Sequence, residues 1–242
     1  MTRLYHPGDL MTDQILELSQ GQTHYLRHVL RVEIGHQLTV FNERDGEWSA
    51  VVTTLAKSRI SVTVEDQVRM AVATPEVSLL FAPIKHDPLT FLMEKATELG
   101  VRYFHPILTE RCNVSRVNEE RLKSNVTEAA QQCERFDIPT IFPLMTLGKA
   151  LASWDVSVPL FVCQERGEVP LIVHALRQLQ PKSPLGFLIG PEGGFSPQEL
   201  AFLRSFSFTN FVSLGPRILR AETAALAALT CYQALVGDWG AV

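Results

Sequence analysis

Apolar and polar positions alternate with a period of two over the first third of the chain and take longer periods beyond it. Gln37–Phe41 (QLTVF), Trp48–Leu55 and Arg59–Val64 (RISVTV) read as strands, the last with Ile60, Val62 and Val64 on one face. Asp45-Gly46, between the first two, is a hairpin-turn signal. One helical stretch, Thr23–Val32, puts His24, Arg27, His28 and Arg31 on one broad face. A small β-barrel with one short helix is the economical reading of this part. Met70–Pro75 is small and weakly apolar, as a linker would be. After it, strand runs at Val77–Ala82, Tyr103–Leu108, Leu160–Cys163, Gly186–Ile189 and Phe211–Leu214 alternate with helical patterns. Those patterns cover Asp87–Leu99, Asn118–Phe136, Pro170–Leu179, Pro197–Phe206 and Glu222–Val236. The alternation predicts an α/β layer fold with a mainly parallel sheet. The expected domains are residues 1–72 and 73–242.

Composition adds limits rather than detail. Of 242 residues, 46% are hydrophobic and 20% charged, a globular balance for one or two domains. The 22 Lys and Arg against 26 Asp and Glu leave a formal charge of -4, which excludes holding nucleic acid by bulk positive charge. Neither part is basic: residues 1–74 carry 7 Lys and Arg against 9 Asp and Glu, and residues 75–242 carry 15 against 17. A local basic groove stays open, because contact depends on where arginines sit. Cys112, Cys133, Cys163 and Cys231 form no CxxC, so neither a zinc site nor a disulfide scaffold is signalled, and the thiols fit a reducing cytosol. The start has no apolar run of signal-peptide length, and Thr223–Val236, containing Gln233, is too short to span a bilayer. The seven His form no ligand cluster. The expectation is a cytoplasmic protein without membrane or metal partners.

The strongest local feature is Phe187-Leu-Ile-Gly190-Pro191-Glu192-Gly193-Gly194-Phe195-Ser196-Pro197-Gln198-Glu199. A strand enters a glycine turn and then a helix, with Ser196 as N-cap, Pro197 in the first turn and Glu199 completing a capping box. Glycines let the backbone approach a ligand and expose its N–H groups. The spacing is neither GxGxxG nor GxxxxGK[ST], which disfavours a nicotinamide-dependent oxidoreductase or a P-loop enzyme. A second loop, Leu214-Gly215-Pro216-Arg217-Ile218-Leu219-Arg220-Ala221-Glu222-Thr223-Ala224, again leads from a strand to a helix. Ligands of open α/β sheets bind beyond the carboxyl ends of strands, where Arg217 and Arg220 would stand.

GPEGGFSPQE (190–199) and LGPRILRAETA (214–224) resemble the two signature loops of the RsmE family, 16S ribosomal RNA uracil-N3 methyltransferases of the SPOUT superfamily. HYLRHVLR (24–31), Lys85 with KATELG (95–100), and EAAQQCERFDIP (128–139) resemble its other segments in the same order. The likeness covers essentially the whole chain. It departs at His86, where the family usually has Gly, and at Leu122–Val126, which lacks an aromatic common there. The resemblance implies a carboxy-terminal SPOUT trefoil-knot methyltransferase domain preceded by a PUA-like RNA-binding β-barrel. It also implies S-adenosylmethionine as cofactor, a homodimer, and a uridine of 16S rRNA or the small ribosomal subunit (U1498) as substrate.

By the same carry-over, the cofactor would be held by Gly190, Glu192, Gly193 and Gly194, with Ile189 before them. Leu214, Gly215, Ile218, Leu219, Arg220, Thr223 and Ala224 would enclose it. Leu160, Val162, Cys163 and Gln164 would border its adenosine. Arg220 is the first choice to favour the anion formed when uracil N3 loses its proton, and Glu192 is a second catalytic candidate. RNA contacts are expected from Arg3, His24, Arg27 and Arg31, and from Lys85, Lys95, Arg111, Arg116, Arg121, Lys123 and Arg135. Two rivals stay open: a SPOUT enzyme that methylates ribose 2′-hydroxyls, and a non-catalytic RNA-binding ribosome-assembly protein.

Overall fold

The computed structural model describes residues 2–114 and 116–239, with His86 by its backbone only. The chain divides into two compact units, Met1–Ala73 with Ala130–Ile138, and Thr74–Ala129 with Pro139–Val242. A single boundary near residue 72 makes no provision for the return of 130–138 to the first unit.

In the first unit, β1 (Arg3–Tyr5), β2 (Ile15–Glu17), β3 (Gln37–Asn42), β4 (Gly46–Ala56) and β5 (Arg59–Arg69) form one sheet in the order β1-β3-β4-β5-β2. β1 runs parallel to β3 and the other pairs are antiparallel. The alternating residues Leu38, Val40, Ala50, Val52, Ile60, Val62 and Val64 are buried in a common core. The expected single helix over 23–32 is instead α1 (Gln20–His24) followed by a π-helical segment, Tyr25–Val29. It starts early because Ser19 and Gln22 form a capping box, and it stops at Arg31, whose φ is +52°.

Arg3 does not face solvent. Its guanidinium pairs with Glu47 at 3.1 Å, donates to the carbonyls of Ala130 and Arg135, and lies 3.4 Å over the Phe41 ring. Gln131 accepts from the Tyr5 N–H, and Arg69 bonds both Glu47 and Glu134. Burial alone would raise the Glu47 carboxyl, but bonds from Arg69 and Thr39 and the charge of Arg3 hold it below the usual carboxylate range. The expected role of Arg3 in RNA contact is therefore corrected to an internal ion pair. Arg135 is likewise drawn inward: its side chain is 9% exposed and is paired with Asp137 at 2.6 Å.

The second unit holds β6 (Val77–Phe81), α2 (His86–Glu98), β7 (Tyr103–Leu108), α3 (Glu119–Gln132, whose last turn belongs to the first unit), β8 (Thr140–Ile141), β9 (Met145–Thr146) and α4 (Leu147–Ala152). β10 (Leu160–Cys163), α5 (Ile172–Leu176), β11 (Leu185–Ile189), α6 (Pro197–Arg204), β12 (Thr209–Val212) and α7 (Ala221–Leu235) follow. The sheet order is β12-β10-β11-β6-β7-β8 with β9 beside β7, and the pairings are parallel. The strands β6, β10 and β11 are buried on both faces, as a helix-covered parallel sheet requires.

Two helices are shorter than their periodicity suggests. α3 ends at Gln132 because Glu134 turns left-handed at φ +62° and Arg3 takes the carbonyls of Ala130 and Arg135. α5 begins only at Ile172 because Leu171 forms a bridge with Ser213 and the Ser213 N–H bonds to Pro170.

Candidate functional site

Because β10 lies between β11 and β12, the carboxyl ends of these three parallel strands are neighbours although their sequences are far apart. The cleft beyond them has about 480 Å³ of empty space, its open mouth included. Cys163, Gln164 and Glu165 come from the end of β10, and Ile189, Gly190, Pro191 and Glu192 from that of β11. Leu214, Gly215, Arg217 and Leu219 follow β12, and Ala221 and Ala224 belong to the first turn of α7.

The walls divide by chemistry. Ile189, Leu214, Leu219, Ala221 and Ala224 make an apolar side. Burial pushes the Cys163 thiol up to about 12, so it joins that side as a neutral group. Glu165, Glu192 and Arg217 supply opposite charges, and none of the three makes an ion pair or side-chain hydrogen bond among the described residues. Gln164 is held in place, accepting from Arg204 at 2.9 Å and donating to the Arg166 carbonyl.

Local sequence accounts for the glycine loop. Gly194 turns at φ +65° and its N–H bonds to the Pro191 carbonyl at 2.8 Å. Ser196 then caps α6, accepting from the Glu199 N–H while Glu199 accepts from the Ser196 N–H.

Of the residues expected at a cofactor, Cys163, Gln164, Ile189, Gly190, Glu192, Leu214, Gly215, Leu219 and Ala224 line this cleft. Leu160 and Val162 are fully buried in the sheet core. Gly193 and Gly194 form the outer part of the glycine loop, Ile218 is exposed, and Arg220 and Thr223 do not line the cleft. Arg220 is the exposed residue before α7 and makes no side-chain cap. Glu165, Pro191, Arg217 and Ala221 complete the lining without having been on the expected list. Arg217 was readable from its Gly-Pro-Arg context after a strand, whereas Glu165 follows a strand with no Gly-Pro pair to mark it.

Residues 72–233 match the RNA methyltransferase domain family, and residues 18–65 match the RNA methyltransferase PUA domain. The ribosomal RNA small subunit methyltransferase E of Rickettsia conorii is 34% identical over 94% of this chain and 93% of its own length. The chain belongs to the ribosomal RNA small subunit methyltransferase E family.

Two solved structures are similar throughout. A methyltransferase of Legionella pneumophila in complex with bound SAM is 31% identical, with a TM-score of 0.85 over 96% of this chain and 97% of that one. The ribosomal RNA small subunit methyltransferase E of Neisseria gonorrhoeae, bound to S-adenosyl methionine, is 28% identical, with a TM-score of 0.87 over 99% of both chains.

The expected RNA contacts of a methyltransferase E chain are dispersed here. His24 and His28 are ring neighbours at 4.7 Å, Arg27 donates to the Ala56 carbonyl, and Arg31 is exposed. Lys85 precedes α2, Lys95 pairs with Glu98 at 2.6 Å, and Arg116, Arg121 and Lys123 are exposed. Arg111 donates to the Gly193 carbonyl at 2.8 Å. No group of three His, Cys, Asp or Glu among the described residues could hold a metal ion. No helix of the described residues is long and apolar enough to cross a membrane.

Proposed function

We propose that this chain is an S-adenosylmethionine-dependent methyltransferase acting on N3 of a uridine in the 16S rRNA of the small ribosomal subunit. The observation that carries this reading is the cleft at three adjacent strand ends, in a chain similar throughout to SAM-bound relatives. The apolar wall suits a purine ring, the unpaired Glu165 and Glu192 suit cationic groups, and Arg217 suits a carboxylate. When bound, S-adenosylmethionine supplies a methyl group already activated by a positively charged sulfur.

The chain's own work is alignment and control of one proton. A guanidinium close to uracil N3 favours the anion that remains when the proton leaves, while staying charged itself. Arg220 is the family-derived choice. Arg217 is a second reading, favoured because it lines the cleft. Glu192, one of two carboxylates in the same lining, is the family-derived choice to accept the proton.

The reading extends to a trefoil knot in the second unit, a closed PUA-like barrel in the first and a homodimer. The parallel order β12-β10-β11-β6-β7 and the PUA match support the first two, and the family supports the third. Mass spectrometry of rRNA from cells with and without the protein tests the function. A methylated base at one uridine is expected. A methylated ribose would favour the 2′-hydroxyl alternative, and identical RNA in both cells would overturn the proposal. Arg220→Ala and Arg217→Ala, assayed side by side with saturating RNA and cofactor, separate the two arginines: the one that favours the anion loses about 100-fold or more in turnover.

A further inference from the structure

Glu199 does more than cap its helix. A capping box needs one of its carboxylate oxygens, and Oε2 serves it, accepting from the Ser196 N–H at 2.9 Å. Oε1 reaches out of the helix and accepts from the backbone N–H of Glu110 at 2.9 Å. The side chain is buried, so both bonds are sheltered from water and are of the strong, charge-assisted kind.

The neighbouring residue completes a second tie. Arg111 Nη1 donates to the Gly193 carbonyl at 2.8 Å, and its own Cβ lies 3.3 Å from where a Gly193 Cβ would stand. A Cβ at 193 would press on that side chain, which would have to give by a few tenths of an ångström. The segment that reaches over is itself anchored. The Cys112 N–H bonds to the Thr109 carbonyl at 3.2 Å, and its Sγ contacts the carbonyls of Pro83 and Val114 at 3.4 and 3.1 Å.

The glycine loop thus has two sides. Gly190, Pro191 and Glu192 face the cleft, whereas Gly193 is held from outside by Arg111 and Ser196 by Glu199, whose other oxygen takes the Glu110 N–H. We propose that Arg111, from the segment after β7, and Glu199, from α6, are positioning residues, a clip that sets the cleft-facing backbone of the glycine loop. Arg111 acts through the Gly193 carbonyl and Glu199 through the Ser196 and Glu110 N–H groups, so neither touches the ligand. The effect on ligand affinity rests on the S-adenosylmethionine reading above; the effect on the loop does not.

The test uses Arg111→Met, which keeps the aliphatic contact but loses the donor, Arg111→Lys, which keeps a donor, and Glu199→Gln. In the ligand-free protein, amide hydrogen exchange at 193–196 should accelerate about tenfold in Arg111→Met and Glu199→Gln, with Arg111→Lys closer to wild type. Calorimetric titration with S-adenosylmethionine should show binding weakened about tenfold in the same two variants. The kcat of Glu199→Gln at saturating RNA and cofactor should stay within about twofold of wild type, so that the KM for S-adenosylmethionine carries the loss. Unchanged exchange at 193–196 in Arg111→Met overturns the clip, even if Glu199→Gln fails to fold. Faster exchange with unchanged affinity overturns its role in positioning the cleft. Wild-type protein that binds no S-adenosylmethionine overturns the functional reading instead, while exchange still judges the clip.

Discussion

Arg3 in the first unit and Arg217 in the second are the same side chain put to opposite use. Arg3 is enclosed by a carboxylate, two carbonyls and an aromatic face. Arg217 lines an open cleft with two carboxylates and bonds to no side chain or carbonyl among the described residues. A buried guanidinium must have partners, because an unpaired charge in a core costs several kcal/mol. One left without partners at a strand-end cleft is available to something that arrives. The contrast separates architecture from chemistry better than charge does, since both residues read simply as positive along the chain.

Breaking the enclosed side should have the largest effect. Arg3→Ala leaves Glu47 with Arg69 and Thr39 only and strips two carbonyls of their donor, and should destabilise the protein by about 3–5 kcal/mol in a denaturant melt. Affinity for S-adenosylmethionine, measured on the fraction that remains folded, should be unchanged. A melt within about 1 kcal/mol of wild type would mean that Arg69 and Thr39 satisfy Glu47 without Arg3.

The second expectation shows that the second unit has an enclosed side too. His105 stacks on Phe142 at 4.3 Å, and burial pushes its pKa down to about 4. The unfolded chain takes up a proton near the ordinary histidine value that the folded chain refuses, so stability is lost as pH falls from about 6.5 towards 4. The loss should approach about 3 kcal/mol and be absent from His105→Gln. Parallel pH–stability curves for the two proteins would refute the assignment.

The smallest effect concerns the open side. Glu165→Gln with Glu192→Gln removes two unpaired charges and should leave the melting midpoint nearly unchanged. It should weaken binding of the cationic cofactor by about tenfold and that of its neutral-sulfur product, S-adenosylhomocysteine, by less. Equal weakening of both ligands would show that the carboxylates do not read the sulfonium charge.

These cases also show what the sequence could convey. Ser196, Pro197 and Glu199 announce the start of α6 because capping is local, and the structure has that capping box. Leu147, Ala150 and Leu151 mark α4 at helical spacing, but the helix is too short to stand out from the pattern. Arg3 misled because its partners lie 44 and 127 positions away, and nothing near it distinguishes an ion pair from a nucleic-acid contact. Gln131 and Arg135 gain meaning only once 130–138 is seen to pack with β1 and β5. Glu199 shows the limit within one residue: Oε2 obeys a local rule, whereas the bond to Glu110 spans 89 positions.

The placement of β10 between β11 and β12 has a consequence for how the molecule comes into being. Parallel neighbours cannot be joined by a tight hairpin, so each pairing closes a long stretch of chain before it yields any contact. No fragment carrying one glycine loop contains the cleft, and no early hairpin can stand in for it. The pocket exists only where all three strands are in place, so a small molecule that binds there favours the finished sheet over any partly formed one.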